Sequence, residues 1–137
     1  MERLIAEKFN IKILGMDYVD RYGINKCIEM ALDAIDEKNN RDYYISFDID
    51  ALDRFEAPST GISLAGGLTL REGIRIIERI FETGRLTGLD CVEFCPNIGD
   101  ARDVKTTIDS VIQLISAASG NKRSGNAPIT QHDIPKN

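Results

Sequence analysis

Two carboxylates stand two residues apart at the end of a segment rich in β-forming residues. The segment runs from Tyr43 to Ile49, and it contains Asp48 and precedes Asp50. Side chains two apart on a strand point to the same face, so both carboxylates are placed to bind one cation. Carboxylate oxygens suit hard ions such as Mg²⁺ or Mn²⁺, and a cation removes the repulsion between them. The spacing alone leaves open that these residues are loop caps, and we expect Asp53 to hydrogen-bond the loop backbone.

A third carboxylate, Glu93, lies near the end of a later apolar segment, Leu86 to Phe94. A glutamate among apolar residues is expected to be buried or partly buried, and it then needs a cationic or hydrogen-bonding partner. A bound cationic substrate would supply that partner, and so would an arginine of the protein itself. The residues alone favour the second, purely structural reading.

The remaining reactive side chains are few. His132 is the single histidine, so one copy of this chain cannot complete a mechanism that needs two, and we expect His132 to lie on the surface. The three cysteines are Cys27, Cys91 and Cys95. An odd, low number and a three-residue gap between the last two favour reduced thiols over disulfides, a zinc site or a redox pair.

Composition excludes several classes of function. The chain has 137 residues with 17 Lys and Arg against 22 Asp and Glu, a formal net charge of −5. A general nucleic-acid binder normally carries a basic excess. No apolar run reaches the roughly 20 residues that cross a bilayer, and the first residues do not resemble a signal peptide. We therefore expect neither a nucleic acid nor a membrane as a partner.

Hydrophobic periodicity predicts three strands that alternate with three helices. The strands are 11–15, 43–49 and 86–94; the helices are about 21–38, 69–84 and 100–120. A capping box at Thr69 and Glu72 starts the second helix, and an apolar face of Val104, Ile108, Val111, Ile112 and Ile115 marks the third. This order predicts an α/β fold with a parallel sheet flanked by helices, spanning 1–120, with a polar tail at 121–137. A three-stranded sheet leaves open edges, which partner chains or further residues should cover.

Four stretches of the sequence together resemble arginase. They are SFDIDALD at 46–53, APSTG at 57–61, GGLTLREG at 66–73 and TGRLTGLDCVEFCP at 83–96. The resemblance extends over residues 3 to 137 and matches the C-terminal half of the ureohydrolase family, whose members hydrolyse guanidino compounds with a pair of manganese ions. It implies the C-terminal part of the three-layer arginase-type α/β fold.

The resemblance also implies roles for individual residues. Asp48 would bridge both Mn²⁺ ions, Asp50 would bind one of them, and Glu93 would accept the guanidinium of the substrate. Arg71 and Arg123 would match surfaces that pack subunits into the family trimer, although solvated charge is an equally good interpretation. The ion pair would lower the pKa of a bridging water, and the resulting hydroxide would attack the guanidinium carbon.

Some features depart from the family pattern. Arg54 replaces a usual proline, which we expect to loosen the turn after Asp53, and Ile62 replaces a threonine close to the active site. The remaining metal ligands, one histidine and an Asp-x-His-x-Asp motif, belong to the N-terminal half in arginases and have no counterpart in this chain.

We therefore expect a complete family protein to convert L-arginine to L-ornithine and urea, and this chain to be inactive alone. The alternatives are a non-catalytic module that associates with itself or with full-length arginase, and another guanidino hydrolase such as agmatinase. We expect a homo-oligomer or a complex with the missing half. A cytoplasmic location is the default, with a mitochondrial location as the alternative.

Overall fold

The structure, a computed structural model, describes residues 2–121 and residue 123. Within these residues the chain alternates helices with two strands. The elements are α1 (Glu2–Lys8), α2 (Met16–Ile35), β1 (Tyr43–Asp48), a short 3-10 helix (Ile49–Ala51), α3 (Leu70–Phe81), β2 (Leu86–Val92) and α4 (Ala101–Ala118). The predicted tail, including His132, lies outside the described residues apart from Asn121 and Arg123.

The two strands pair in parallel, as the alternation of strands and helices predicted. Tyr44 lies opposite Gly88, Ser46 opposite Asp90, and Asp48 opposite Val92. The ring of Tyr44 lies over Gly88, where a Cβ atom would come within 2.6 Å of it, so a larger residue there would have to displace this exposed ring. The parallel arrangement places the C-terminal ends of both strands at one edge, where ligands commonly bind in sheets of this kind.

The predicted strand at residues 11–15 is wrong. These residues form neither helix nor strand, and Ile11 and Ile13 are about half exposed, at 58% and 49%. A strand needs a neighbour to satisfy its backbone groups, and the described sheet contains only β1 and β2. The pattern therefore indicated β-forming residues without the partner that would make them a strand.

Helix α2 begins earlier than predicted and contains an interruption. Gly23 has φ 75° and ψ 158°, which breaks the helical path after its first two turns. The buried side chains, Cys27 and Ile28, follow the interruption. The second part of α2 is therefore the amphipathic helix that the periodicity indicated.

Both predicted helix starts after β1 are confirmed. The Thr69 hydroxyl accepts a hydrogen bond from the Glu72 amide, and the Glu72 carboxylate accepts one from the Thr69 amide. Asp100 and Asp103 form the same reciprocal pair before α4. Such pairs satisfy amide groups that a helix N-terminus leaves free. They fix where α3 and α4 begin relative to the two strands.

The apolar face predicted for α4 is not the face that packs. The buried residues are Thr107, Ser110, Leu114 and Ala117, whereas Ile108, Ile112 and Ile115 are exposed. Small side chains permit close packing against α3, and the two hydroxyls hydrogen-bond neighbouring backbone, as Ser110 does to the Glu56 carbonyl at 2.7 Å. Val111 alone of the predicted set is packed against the core.

The core lies between one face of the sheet and helices α3 and α4. Along β1 the side chains of Tyr43, Ile45 and Phe47 point inward, and those between them point to solvent. Gly73 lets α3 approach, because a Cβ atom there would lie 3.0 Å from Leu52 and 3.1 Å from Phe47. The buried core residues are Ile45, Phe47, Ile49, Leu52, Ala57, Ile74, Ile77, Leu114 and Ala117.

Candidate functional site

The two aspartates that the sequence singled out lie at the C-terminal end of β1. Asp48 is the last residue of the strand and is exposed, while Asp50 lies in the 3-10 helix and is half-buried. The alternation of side chains along the strand, which predicted that both aspartates point the same way, therefore ends at Asp48. The fully buried Ile49 anchors the turn between them in the core, so both carboxylates stay at this edge of the sheet.

Glu93 reaches the same edge from β2. Asp48 is in register with Val92, and Glu93 is the next residue of the chain. Its φ of 66° puts it in the left-handed region, which few residues other than glycine adopt. The prediction that Glu93 is buried is wrong: β2 ends at Val92, the chain turns there, and the side chain is exposed. Its carboxylate is therefore accessible to a ligand.

Asp53 organises the loop that follows the aspartates, as expected. Its carboxylate accepts hydrogen bonds from the amides of Phe55, at 2.9 Å, and Gly66, at 2.7 Å. These backbone bonds, with the charge of Arg54, hold the pKa of Asp53 below its usual value despite partial burial. Gly67 is needed beside this loop because a Cβ atom there would lie 2.7 Å from the Leu52 backbone.

Arg54, where we expected a loosened turn, instead ties the loop. Its amide donates to the Leu64 carbonyl at 3.0 Å, a bond that proline cannot make because it lacks the N–H group. Ile62, the other departure, is 63% exposed.

Three hydroxyl residues to which sequence reasoning gave no role, Ser59, Thr60 and Thr107, connect this loop to the segment after β2 and to α4. The Ser59 amide donates to Thr107 Oγ1 at 2.9 Å, and the Ser59 carbonyl accepts from the Cys95 amide, also at 2.9 Å. Thr60 forms an isolated antiparallel bridge with Phe94. Hydroxyl residues carry no periodicity that marks such long-range contacts, and only the resemblance of the APSTG stretch at 57–61 pointed to Ser59 and Thr60.

The two arginines expected at subunit contacts lie on and near α3. Arg123 pairs with Glu78 through its Nη2 at 2.8 Å and its Nε at 3.0 Å, and its Nη1 lies 3.4 Å from the Arg71 carbonyl. The hydrogen bond from Arg123 holds the pKa of Glu78 below its usual value, against the opposing effect of burial. Arg71 is exposed, so its side chain is available to a neighbouring molecule.

The cysteines are free, in agreement with the prediction. Cys27 is buried, and Cys91 and Cys95 are half-buried. Burial, followed by the charge of Asp90, raises the pKa of the Cys91 thiol, which makes its reactive thiolate form less populated.

The carboxylates at the C-terminal ends of the strands are the right kind of ligand for a hard metal ion, but they are too few to complete a site for one. Asp48 and Asp50 offer carboxylate oxygens, the ligands that Mn²⁺ and Mg²⁺ prefer. Across residues 2–121 and 123, however, no group of three or more His, Cys, Asp or Glu side chains is arranged to hold a metal ion. Two carboxylates of this chain would contribute to a metal site without completing it.

Comparison with known proteins assigns this arrangement to a family. The family model described as "Arginase family" matches residues 1–119. This chain belongs to the arginase family. An arginase of Glaciozyma antarctica is 46% identical over 119 residues, which cover 87% of this chain and 34% of that protein. Arginase-1 of Sus scrofa is 40% identical, covering 96% of this chain and 43% of the relative.

Solved structures agree with the arginase-family fold. Arginase from Bacillus subtilis matches 89% of this chain and 40% of its own chain, with a TM-score of 0.77 and 28% identity. A hypothetical agmatinase from Burkholderia thailandensis matches 78% of this chain with a TM-score of 0.61 and 27% identity. The chain thus has the α/β fold predicted for it, and it spans less than half the length of each of these relatives.

The described helices also bear on membrane association. None of those within residues 2–121 and 123 is long and apolar enough to cross a bilayer.

Proposed function

We propose that this chain supplies the C-terminal part of a manganese-dependent active site that hydrolyses L-arginine to L-ornithine and urea. The observation that carries the proposal is the placement of Asp48, Asp50 and Glu93 at the C-terminal ends of two paired parallel strands, in a chain of the arginase family. Asp48 would bridge two Mn²⁺ ions and Asp50 would bind one. Glu93 would accept the guanidinium group.

Each role fits the placement of its residue. Bound manganese would supply an activated water for attack on the guanidinium carbon. Asp48 is exposed at the strand end, which would leave its carboxylate accessible to both ions, and Asp50 is half-buried in the following turn. The exposed Glu93 offers its carboxylate to a planar cation, which it can bind through two hydrogen bonds.

We propose that the chain is inactive alone and needs a second polypeptide, either another copy or the part of the family protein that precedes these residues. A groove of about 600 Å³ runs beside β1, lined by apolar residues of α2, by Tyr44 and by Asp50. The backbone of Tyr43 is hydrogen-bonded toward β2. The N–H and C=O of the next residue, Tyr44, therefore point to the other side of β1, the side away from β2. A strand of the second polypeptide that pairs with this free side of β1 would bring further metal ligands next to Asp50.

Subunit packing and location are further parts of the proposal. Arg71, in the first turn of α3, and Arg123, whose guanidinium lies 3.4 Å from the Arg71 carbonyl, would contribute to the contacts of a homotrimer. The predicted division into a family domain at 1–120 and a contact-forming tail at 121–137 belongs with this role. Three free cysteines fit a reducing compartment such as the cytoplasm.

A non-catalytic module is the second candidate function. The observation that favours it is the lack of a three-ligand metal group in the described residues. Another guanidino substrate, such as agmatine, remains a variant of the first candidate, since a carboxylate at position 93 recognises only the guanidinium.

Urea release from L-arginine with excess Mn²⁺ separates these functions. The chain is assayed alone and after co-expression with the segment of Sus scrofa arginase-1 that precedes the matched region. We expect activity only in the second sample, abolished by Asp48→Asn and retained by Asp42→Asn, which makes the same charge change at the other end of β1. Activity of the co-expressed pair that survives Asp48→Asn would contradict the proposed site, and agmatine hydrolysed in preference to arginine would support the substrate variant.

A further inference from the structure

The chain directly after Glu93 is bonded to the loop that follows β1. A residue with a side chain at φ 66° is in a sparsely populated region and stays there only where surrounding structure holds it. The two residues that follow it are both bonded to the loop after β1: Phe94 bridges Thr60, and the Cys95 amide donates to the Ser59 carbonyl at 2.9 Å.

The Ser59 part of this loop is in turn bonded to α4 through the side chain of Thr107. Thr107 Oγ1 accepts the Ser59 amide at 2.9 Å and donates to the Asp103 carbonyl at 3.0 Å, one turn earlier in the helix. Thr107 and Ser59 are both fully buried, at 0% exposure. An amide in that position has no access to water, so losing the threonine oxygen would leave the Ser59 N–H unpaired.

These bonds form a continuous connection from helix α4 to the candidate substrate carboxylate. It runs from Thr107 through Ser59 to Cys95, two residues after Glu93, and each link is a hydrogen bond of normal length. We propose that Thr107 is a positioning residue for Glu93. Through Ser59 and Cys95, Thr107 holds the backbone conformation of Glu93 that directs the Glu93 carboxylate toward a guanidinium ligand. The inference rests on the proposed role of Glu93.

The chemistry of position 107 makes the connection specific. A hydroxyl can accept the Ser59 amide and donate to a helix carbonyl together. Valine has the same shape but can do neither. Serine keeps the hydroxyl and loses only a methyl group.

The test compares Thr107→Val with Thr107→Ser in the full chain by NMR. We expect the valine variant to exchange the Ser59 and Cys95 amide protons about tenfold faster and to shift the Glu93 backbone signals away from the left-handed region. The serine variant should restore both to the wild-type values. A folded valine variant with unchanged exchange and unchanged Glu93 signals would overturn the proposal.

A measurement on the wild-type chain covers the case in which Thr107→Val does not fold. If the connection holds, the Ser59 and Cys95 amides open together with α4, so their exchange has the same denaturant dependence as that of Leu114. Independent, faster opening of Cys95 would overturn the proposal. Titration of the wild-type chain with L-arginine, followed at the Glu93 side-chain carbon, tests the role of Glu93 separately, because its failure leaves the exchange results unaffected.

Discussion

At the scale of single residues, backbone conformation and accessibility decide what the three carboxylates can do. Asp48 and Asp53 belong to the same short motif. The Asp53 carboxylate accepts hydrogen bonds from two backbone amides, whereas Asp48 is exposed. The sequence singled out the three carboxylates of the candidate site, and it predicted the role of Asp53. It did not predict the exposure of Glu93, because the left-handed turn after β2 depends on contacts with a loop more than thirty residues earlier.

The conformation of Glu93 leads to a stability prediction. Replacing Glu93 by glycine or by alanine removes the same carboxylate, but only glycine adopts φ 66° without a steric penalty. We expect Glu93→Gly to be more stable than Glu93→Ala by about 1 kcal/mol, measured by urea denaturation. Equal stabilities, or a more stable alanine variant, would show that position 93 is not held in the left-handed region.

At the scale of elements, sequence patterns predicted those helix and strand boundaries that depend on contacts between residues close in the chain. The capping residues Thr69 and Asp100 marked the starts of α3 and α4, and both strands that pair were predicted within two residues at each end. The errors concern tertiary contacts. Residues 11–15 have strand composition without a partner, and α4 buries its hydroxyl and small residues in place of its isoleucines.

The packing face of α4 is tested by two truncations on the same helix. Leu114 is fully buried in the core, whereas Ile112 is 54% exposed. We expect Leu114→Ala to lower the free energy of unfolding by about 2–5 kcal/mol, because it leaves a cavity. Ile112→Ala should change it by about 0.5 kcal/mol or less. Thermal or urea unfolding of both variants measures the difference, and similar losses would mean that the isoleucine face also packs.

We expect the junction between α2 and β1 to make a pH-dependent contribution to stability. Asp36 is buried, which by itself raises its pKa, but hydrogen bonds from the Arg41 and Asn40 amides and the Tyr43 hydroxyl, with the charge of Arg85, hold the pKa below the usual 3.8. A carboxyl with a lowered folded-state pKa stabilises the fold above its unfolded pKa and loses that contribution as the pH falls through the folded pKa.

We therefore expect the stability gap between the wild-type chain and Asp36→Asn to be full near pH 6 and to shrink as the pH falls below the usual Asp value of 3.8. Melting temperatures across this range measure the gap. Asp42→Asn serves as the control, since Asp42 is exposed beside the same junction. A gap that stays constant over the range would mean that the Asp36 contacts do not depend on its charge.

At the scale of the whole molecule, this arginase-family chain has a sheet of two described strands, and it spans 34% and 43% of the two relatives compared. The family resemblance and the α/β fold could be predicted from sequence because the motifs lie within this span. The shape of the groove beside β1 could not, since it depends on how α2 packs against α3. We therefore expect this chain to offer a metal ion accessible carboxylates but an incomplete set of ligands.

Titration of the chain with Mn²⁺, followed by the electron paramagnetic resonance signal of the free ion, tests the central claim most directly. We predict weak binding that Asp48→Asn and Asp50→Asn each reduce and that Asp42→Asn leaves unchanged, because only the first two carboxylates lie at the candidate site. Binding that is unaffected by both site variants, or reduced equally by the control, would contradict the assignment of Asp48 and Asp50 as metal ligands.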